Sequence, residues 1–196
     1  LMGVIIAFET ALVAQIFGAV IFVVNGIGIA MTRELGPLMT AILFAGRSGS
    51  AFAAQLGTQK VNEELNALTT FGLSPMYFLV VPRLIASSLV VPLLSVFATI
   101  LGILGGGLVM AMYDITYTQF YVQLLKSVTV TDIVFGLVKA VIFGFVIALI
   151  GCQCGMNTGA GAAAVGSSTT KSVVKSIIWI VVIDGAAALL TNRLGI

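Results

Sequence analysis

Long apolar runs separated by short polar intervals constrain this 196-residue chain more than any other feature of its sequence. Hydrophobic residues make up 60% of the chain and charged residues only 8%, whereas a soluble domain carries about 25% charged residues. A helix that crosses a bilayer needs roughly 20 apolar residues, so the chain has room for about five spans with short connections. The sequence therefore predicts an all-α integral membrane protein.

The spans follow from the apolar runs and from the turn-forming residues between them. Because the chain opens on Leu1 inside an apolar run, we expect the first span to be truncated. The even apolarity of residues 1–31 leaves a second possibility, a single span that ends at Asn25 and Gly26. We predict one transmembrane domain over 1–196, with spans at residues 1–15, 20–52, 78–112, 133–154 and 173–192, a more polar interval at 55–75, and loops at 113–131 and 155–170.

The distribution of Lys and Arg predicts the orientation of the chain, because cytoplasmic loops carry an excess of basic residues. More basic residues flank the connections at 55–75 and 155–171 than the opposite ends of the spans. This bias places those two connections in the cytoplasm and the 113–131 loop outside. The residues compared are Arg47, Lys60, Arg83, Lys171 and Lys175 against Lys126 and Arg193.

Charged residues lie well inside the apolar stretches at Arg33, Glu34, Lys139 and Asp184. Each costs roughly 2.5–3.5 kcal/mol at a helix centre, so such residues usually face the bundle interior and pair. Counting inward along each span places Glu34, Lys139 and Asp184 at similar depths, which predicts a buried charge cluster. The cluster either locks helices together, or forms the wall of a cavity or a charge pair that breaks during transport. Glu9 in the first span is a separate candidate for a substrate path.

The interval 55–75 predicts a short amphipathic helix at about 60–71. Its apolar residues repeat at i, i+4 and i+7, Asn62 is a candidate N-cap, and its glutamates suit the positive end of the helix. Composition alone is compatible with a helix that rests on the membrane surface or with one that docks a partner. The residues available for docking are Lys60, Val61, Glu63, Glu64, Leu65 and Leu68.

Several function classes are excluded by residue types. Without histidine, a Ser-His-Asp or Cys-His catalytic arrangement is impossible. The sequence contains no Gly-x-x-x-x-Gly-Lys-Ser/Thr phosphate loop, so the chain has no ATPase site of that kind. A net charge of +2 is too small to indicate a nucleic-acid partner. Residue types alone leave an Asp or Ser-Lys enzyme within the membrane open, but no motif supports one. We therefore expect a protein that is not an enzyme, with no cofactor and no metal.

The strongest specific pattern lies between residues 33 and 68. It consists of Arg33-Glu34-Leu35-Gly36-Pro37, Ala45-Gly46-Arg47-Ser48-Gly49-Ser50-Ala51, Leu56-Gly57-Thr58 and Val61-Asn62-Glu63-Glu64-Leu65-Asn66-Ala67-Leu68. Together these motifs resemble the MlaE/YrbE family, the permease subunits of ABC transporters that move lipids with MCE-domain proteins. The resemblance covers nearly the whole chain beyond about residue 30.

The resemblance implies a homodimer of five-helix permeases in the bacterial inner membrane, carrying phospholipid or a related lipid. It makes the 60–71 helix a coupling helix that docks on a cytoplasmic ABC ATPase. It also implies an MCE-domain lipid-binding partner and a small cytoplasmic STAS-domain subunit. Two residues depart from the family pattern: Gln55 stands where an acidic residue is common, and Glu64 stands where glutamine is frequent. These departures leave the detailed pairing of the docking site open.

The resemblance also bears on the first span and on the charge cluster. It places the break between the first two spans near residues 15–20, and it places buried family charges at Glu34, Lys139 and Asp184. Lipid-binding candidates in the first span are Ile6, Glu9, Val13, Ala14 and Phe17. The alternative function is a stand-alone ion- or proton-coupled secondary transporter that uses the same three buried charges as a relay.

Overall fold

Helices account for the secondary structure of residues 1–194, which are the residues that the computed structural model describes. Four of these helices are long and apolar enough to cross a membrane, and the first is a shorter apolar helix. The expectation of an all-α membrane bundle is therefore confirmed. The helices are α1 (Met2–Ile16), α2 (Ile21–Val61), α3 (Glu64–Thr70), α4 (Met76–Ala111), α5 (Tyr117–Ser127), α6 (Val130–Met156) and α7 (Ala162–Leu194).

The boundaries of the first two helices settle one of the alternatives left open by the sequence. The chain turns between α1 and α2 at residues 17–20, where Gly18 adopts a φ of +64° that glycine tolerates without steric cost. A single span over residues 1–31 is therefore wrong, and the break near 15–20 implied by the resemblance is confirmed.

Two helices occupy parts of the chain that we predicted as loops. The predicted loop at 155–170 shrinks to residues 157–161, because alanine-rich helix formers start α7 at Ala162. The predicted loop at 113–131 contains α5, which begins with a capping box between Thr116 and Gln119. The apolar-run criterion missed α5 because its side chains alternate between apolar and polar around the helix.

The predicted cytoplasmic helix at 60–71 is shorter than expected. Lys60 and Val61 belong to the end of α2, and Asn62 terminates that helix instead of capping the next one. Glu63 takes a left-handed conformation with φ 61°, so α3 begins only at Glu64. The left-handed residue breaks the i, i+4, i+7 pattern that had joined Val61 to the same helical face.

Three π-helical turns interrupt the long helices, at Met31–Leu35, Ala45–Gly49 and Met76–Val80. Such turns loosen the regular backbone ladder, and in a membrane the carbonyl groups that they expose need hydrogen-bond donors. The Thr99 hydroxyl donates to the Met31 carbonyl over 3.3 Å, and the Ser172 hydroxyl donates to the Gly49 carbonyl over 3.2 Å. Hydroxyl groups of other helices thus stabilise the first two π turns.

Two compact units divide the described chain. The first comprises Leu1–Met39 with Leu93–Lys139, and the second comprises Thr40–Pro92 with the described residues from Ala140 onward. The interpretation of residues 1–196 as one domain stays a prediction.

The first unit is held together by a core of apolar side chains from α1, α2, α4 and α5. Ala7, Ala11 and Val24 are completely buried there. Gly3 of α1 lies so close to the backbone of Gly102 in α4 that a Cβ atom at residue 3 would overlap it. This close approach is typical of helices that associate through small residues in lipid.

The second unit packs α2 against α6 and α7 through small residues. Ala45 and Ala53 are fully buried, and the Gly49 carbonyl lies 2.7 Å from the position that a Cβ atom on Gly151 would occupy. The ridge of Ala45, Gly49 and Ala53 thus lies on the packed face of α2, whereas Gly46 on the adjacent ridge has open space around it.

Candidate functional site

Four charged side chains of the first unit form two ion pairs between α2 and α6, and we call Arg33, Glu34, Asp132 and Lys139 the charged seam. Arg33 Nη1 lies 3.2 Å from Asp132 Oδ1, and Lys139 Nζ pairs with Glu34 Oε2. The Lys139 side chain is 2% exposed and the Glu34 side chain 33%. Pairing reduces the free energy that isolated charges would cost inside membrane spans.

The π turn at Met31–Leu35 sets the geometry of the seam. Arg33 and Glu34 are consecutive on this turn, whereas their partners Asp132 and Lys139 are two helical turns apart on α6, about 10 Å along its axis. The Arg33 side chain therefore extends toward the N-terminal end of α6, and the Glu34 side chain extends toward its middle. Gly136 lies between the two partners, and a Cβ atom there would overlap the Thr32 carbonyl, so the glycine permits the close approach.

An aromatic ring contacts both cations of the seam. Arg33 Cζ lies 5.2 Å from the centroid of the Phe135 ring, and Lys139 Nζ lies 5.7 Å from it. A cation over an aromatic ring contributes about 0.5–2 kcal/mol, more when it is desolvated. Phe135 therefore attracts both cations of the seam independently of their carboxylate partners.

Asp132 is the seam residue that the sequence analysis missed. It is the third residue of α6 and forms a reciprocal capping box with Thr129: the Thr129 amide donates to Asp132 Oδ2 over 3.0 Å, and the Asp132 amide donates to Thr129 Oγ1 over 3.4 Å. The spacing Thr-x-x-Asp immediately before an apolar run was a readable signal. It places the start of α6 at Val130 instead of residue 133.

Asp184, the fourth member of the predicted cluster, lies on α7 in the second unit. Within the described part of the first unit, Asp132 is the carboxylate that pairs with Arg33. The membership of Asp184 in a common cluster with Glu34 and Lys139 stays a prediction.

The five lipid-binding candidates are distributed over both faces of α1 and the turn that follows it. Glu9, Val13 and Phe17 are exposed, whereas Ala14 packs against the core of the first unit and Ile6 is half-buried. The three exposed residues are spaced i, i+4 and i+8, which places them in one stripe along the helix surface. Their role in lipid binding stays a prediction.

The first unit contains a cavity of about 280 Å³, which we call the apolar cavity. Its buried part consists of Thr32 and Pro37 of α2, Ser95 of α4 and Gly136 of α6. The described lining includes none of the five lipid-binding candidates of α1. The other lining residues are Val96, Thr99, Ile100, Ile103, Leu124, Leu125, Val128, Ile133 and Leu137.

The predicted ATPase-coupling residues divide between two helices of the second unit. Leu65 is buried and Leu68 half-buried, while Glu63 and Glu64 are exposed at the start of α3. Lys60 Nζ, at the end of α2, donates to the Met156 carbonyl at the end of α6 over 2.8 Å. A lysine suits this position because the C-terminal end of a helix carries partial negative charge.

A polar cleft of about 390 Å³ adjoins α3 in the second unit. Lys60, Val61, Glu63 and Asn66 line it from the side of α2 and α3, and residues 158–161 line it from the loop after α6. The remainder of the loop predicted at 155–170 therefore forms one wall of a surface depression beside the coupling residues.

The family model for Permease MlaE matches residues 1–190 of this chain. The chain belongs to the MlaE permease family. A probable ABC transporter permease protein of Synechocystis is 38% identical over 179 residues, which cover 91% of this chain and 68% of the relative. A probable ABC transporter permease protein of Rickettsia typhi is 35% identical over 182 residues, which cover 92% and 70%.

An Arabidopsis thaliana relative, the chloroplastic protein TRIGALACTOSYLDIACYLGLYCEROL 1, is 38% identical over 159 residues, which cover 81% of this chain and 45% of the relative. The resemblance derived from residues 33–68 is therefore confirmed at the level of the family. This MlaE permease is a multi-pass membrane protein and the transport component of an ABC transporter. Transport components of this kind work with a separate ATPase.

Proposed function

We propose that this MlaE permease moves phospholipid or a related lipid between the bacterial inner membrane and an MCE-domain partner, driven by a separate cytoplasmic ATPase. The observation that carries the proposal is the family match over residues 1–190. The Arabidopsis relative supports a lipid cargo, because its name contains that of a diacylglycerol glycolipid.

The ATPase docks, in this proposal, on α3 and the polar cleft beside it. Leu65 anchors α3 to the permease because it is buried, and the exposed glutamates Glu63 and Glu64 are available to a partner. Basic side chains on the ATPase would complement them. The amide groups and the small residues of the 158–161 loop would complete the contact surface.

The same proposal includes assembly partners that follow from the family resemblance. Two permease copies form a homodimer, an MCE-domain protein receives or delivers the lipid outside, and a small STAS-domain subunit binds in the cytoplasm. The lipid path runs along the exposed stripe of Glu9, Val13 and Phe17 on α1 and the turn after it. No step in this subunit makes or breaks a covalent bond.

A second candidate function is favoured by the ion pair between Lys139 and Glu34. A buried lysine whose carboxylate partner is a third exposed resembles the proton-relay pairs of secondary transporters. Such a transporter would move its solute with an ion gradient and without any ATPase.

Proteoliposomes distinguish the two functions. The permease is purified with its co-expressed ATPase, and ATP-dependent transfer of a fluorescent phospholipid to an MCE-domain acceptor is measured. Glu64→Lys reverses an exposed charge on α3, and we expect it to reduce ATPase retention and lipid transfer together. Arg193→Glu is the control, because it reverses an exposed charge at the end of α7, on the predicted outer side.

Leu65 is unsuitable for this test because it is buried, so an aspartate there would unfold α3. Retention of the ATPase by the Arg193→Glu variant and its loss from the Glu64→Lys variant support docking on α3. Gradient-driven flux without ATP, from a permease that purifies alone, would instead establish the secondary transporter.

A further inference from the structure

The apolar cavity of the first unit has a function that the transport proposal does not supply. We propose that it binds the acyl chain of a resident bilayer phospholipid, which stays with the permease as a structural ligand. The proposal does not rest on lipid being the cargo, because every bilayer presents acyl chains to the membrane spans.

The residues that line the cavity favour a hydrocarbon ligand over a polar one. The Thr32 hydroxyl donates to the Gly28 carbonyl over 2.7 Å, and the Thr99 hydroxyl donates to the Met31 carbonyl. Both hydroxyl groups are therefore engaged within the protein. Apart from these threonines and Ser95, the lining consists of aliphatic side chains, proline and glycine. An acyl chain makes only van der Waals contacts and needs no donor or acceptor.

The volume sets the length of chain that fits. At roughly 30 Å³ for a group the size of a water molecule, a cavity of about 280 Å³ accommodates about nine methylene groups. It holds a segment of one acyl chain and excludes a whole phospholipid. The remainder of the lipid, including its headgroup, stays in the bilayer.

The mouth of the cavity is continuous with the lipid-facing surface of the spans. Val96 and Ile100 of α4, together with Ile133 of α6, are exposed apolar side chains on membrane-crossing helices. Leu101, next to Ile100, is 67% exposed. A chain that lies against this surface reaches the cavity without crossing a polar barrier.

The helix α5 provides the matching site for a headgroup. Its Leu125 is exposed at the mouth of the cavity, and the next residue, Lys126, is an exposed cation that complements a lipid phosphate. Tyr117 and Tyr121 are exposed on the same helix, as is typical of residues at the level of the headgroups. The lipid thus has its chain in the cavity and its phosphate beside α5.

Occupancy has a consequence for the charged seam. Thr32 and Gly136, which line the buried part of the cavity, are also the residues that pack together between the two ion pairs. A chain in the cavity fills the space beside this contact and supports the packing of α6 on the π turn.

Photolabelling tests the proposal. The full chain, in nanodiscs of phosphatidylcholine and phosphatidylglycerol without ATPase or ATP, is irradiated with a phosphatidylcholine that carries a diazirine near the methyl end of one acyl chain. We expect adducts on Ile103 and Leu137, located by mass spectrometry. Ile100→Trp fills the mouth and should lose this labelling, whereas Leu101→Trp, the neighbouring lipid-facing control, should retain it.

A second variant and two competitors guard against misfolding and nonspecific contact. Leu125→Trp blocks the mouth from α5 and should also lose the adducts. Decane, a chain without a headgroup, should compete with the probe, and glycerophosphocholine, a headgroup without chains, should not. Equal labelling of the Ile100→Trp and Leu101→Trp variants, or adducts only on outward residues such as Leu104, would overturn the proposal. Because ATP and transport are absent, these outcomes are independent of the proposed function.

Discussion

Lys139 on α6 and Glu34 on α2 form an ion pair in which the two partners differ in exposure, the lysine side chain being 2% and the glutamate side chain 33% exposed. Removal of one partner therefore does not have the same effect as removal of the other. The glutamate keeps access to its surroundings when the lysine is lost, whereas the lysine ammonium stays inside the protein when the carboxylate is lost.

This asymmetry predicts the stability of single and double variants. Glu34→Gln should lower the free energy of unfolding by about 3 kcal/mol, because it removes the carboxylate that neutralises a buried cation. Lys139→Met should cost less, because an apolar side chain of similar length replaces the ammonium. The double variant should recover part of the loss caused by Glu34→Gln. Denaturant unfolding in micelles measures all three, and strictly additive effects would show that the pair is not coupled.

A second prediction concerns Gly136, where α6 approaches the π turn of α2. A Cβ atom there would overlap the Thr32 carbonyl, so Gly136→Ala should force the helices apart and lower the free energy of unfolding by about 1–3 kcal/mol. Gly166→Ala in α7 is the matched control. It has open space for a Cβ atom and should raise stability by about 0.5–1 kcal/mol. Thermal unfolding of both variants in the same detergent tests this prediction. A Gly136→Ala variant with the stability of the wild type would contradict the close packing.

Much of the fold follows from the sequence because membrane spans are specified by composition. Apolar runs located α2, α4, α6 and α7, and the resemblance located the turn at Gly18. The amphipathic α5 escaped detection because its apolar residues do not form a run, although its capping box at Thr116 was readable. The start of α7 was placed too late because glycine and serine near Ala162 resemble a loop in composition.

The charged seam shows the limit of counting residues along a helix. The positions of Glu34 and Lys139 along their spans predicted correctly that the two residues are neighbours, since each lies well inside a span. It could not supply Asp132, which lies at a helix end, nor assign Asp184 to another unit. The π turn at Met31–Leu35 has no signal in the sequence that we recognised, yet it determines the directions of Arg33 and Glu34.

The hydroxyl groups that stabilise the π turns give a third prediction. Thr99→Val removes the donor to the Met31 carbonyl while keeping the shape of the side chain, and it should lower the free energy of unfolding by about 1 kcal/mol. Thr99→Ser keeps the hydroxyl and should cost less.

Ser172→Ala makes the corresponding change at the second π turn, where the serine is fully buried and donates to the Gly49 carbonyl. It should cost a similar amount. If Thr99→Val and Thr99→Ser unfold at the same temperature, the hydroxyl contributes nothing and the π turn is stabilised by packing alone.

The left-handed Glu63 between α2 and α3 gives the last prediction. A non-glycine residue in this conformation costs roughly 1–2 kcal/mol, and Glu63 also loses freedom by accepting a hydrogen bond from Asn66. Glu63→Gly should therefore raise the free energy of unfolding by about 0.5–1 kcal/mol, since the gain in backbone conformation is partly offset by the entropy of glycine. Glu63→Val should lower it, because β-branched residues resist positive φ. Glu63→Asn removes the charge, and asparagine tolerates the left-handed conformation, so this variant separates backbone strain from charge.

If strain governs this turn, the valine variant unfolds first, the asparagine variant resembles the wild type and the glycine variant unfolds last. If the three variants unfold together, the backbone of this turn is unstrained. Glu63 is then needed for contact with the ATPase instead, and all three variants should lose ATPase retention.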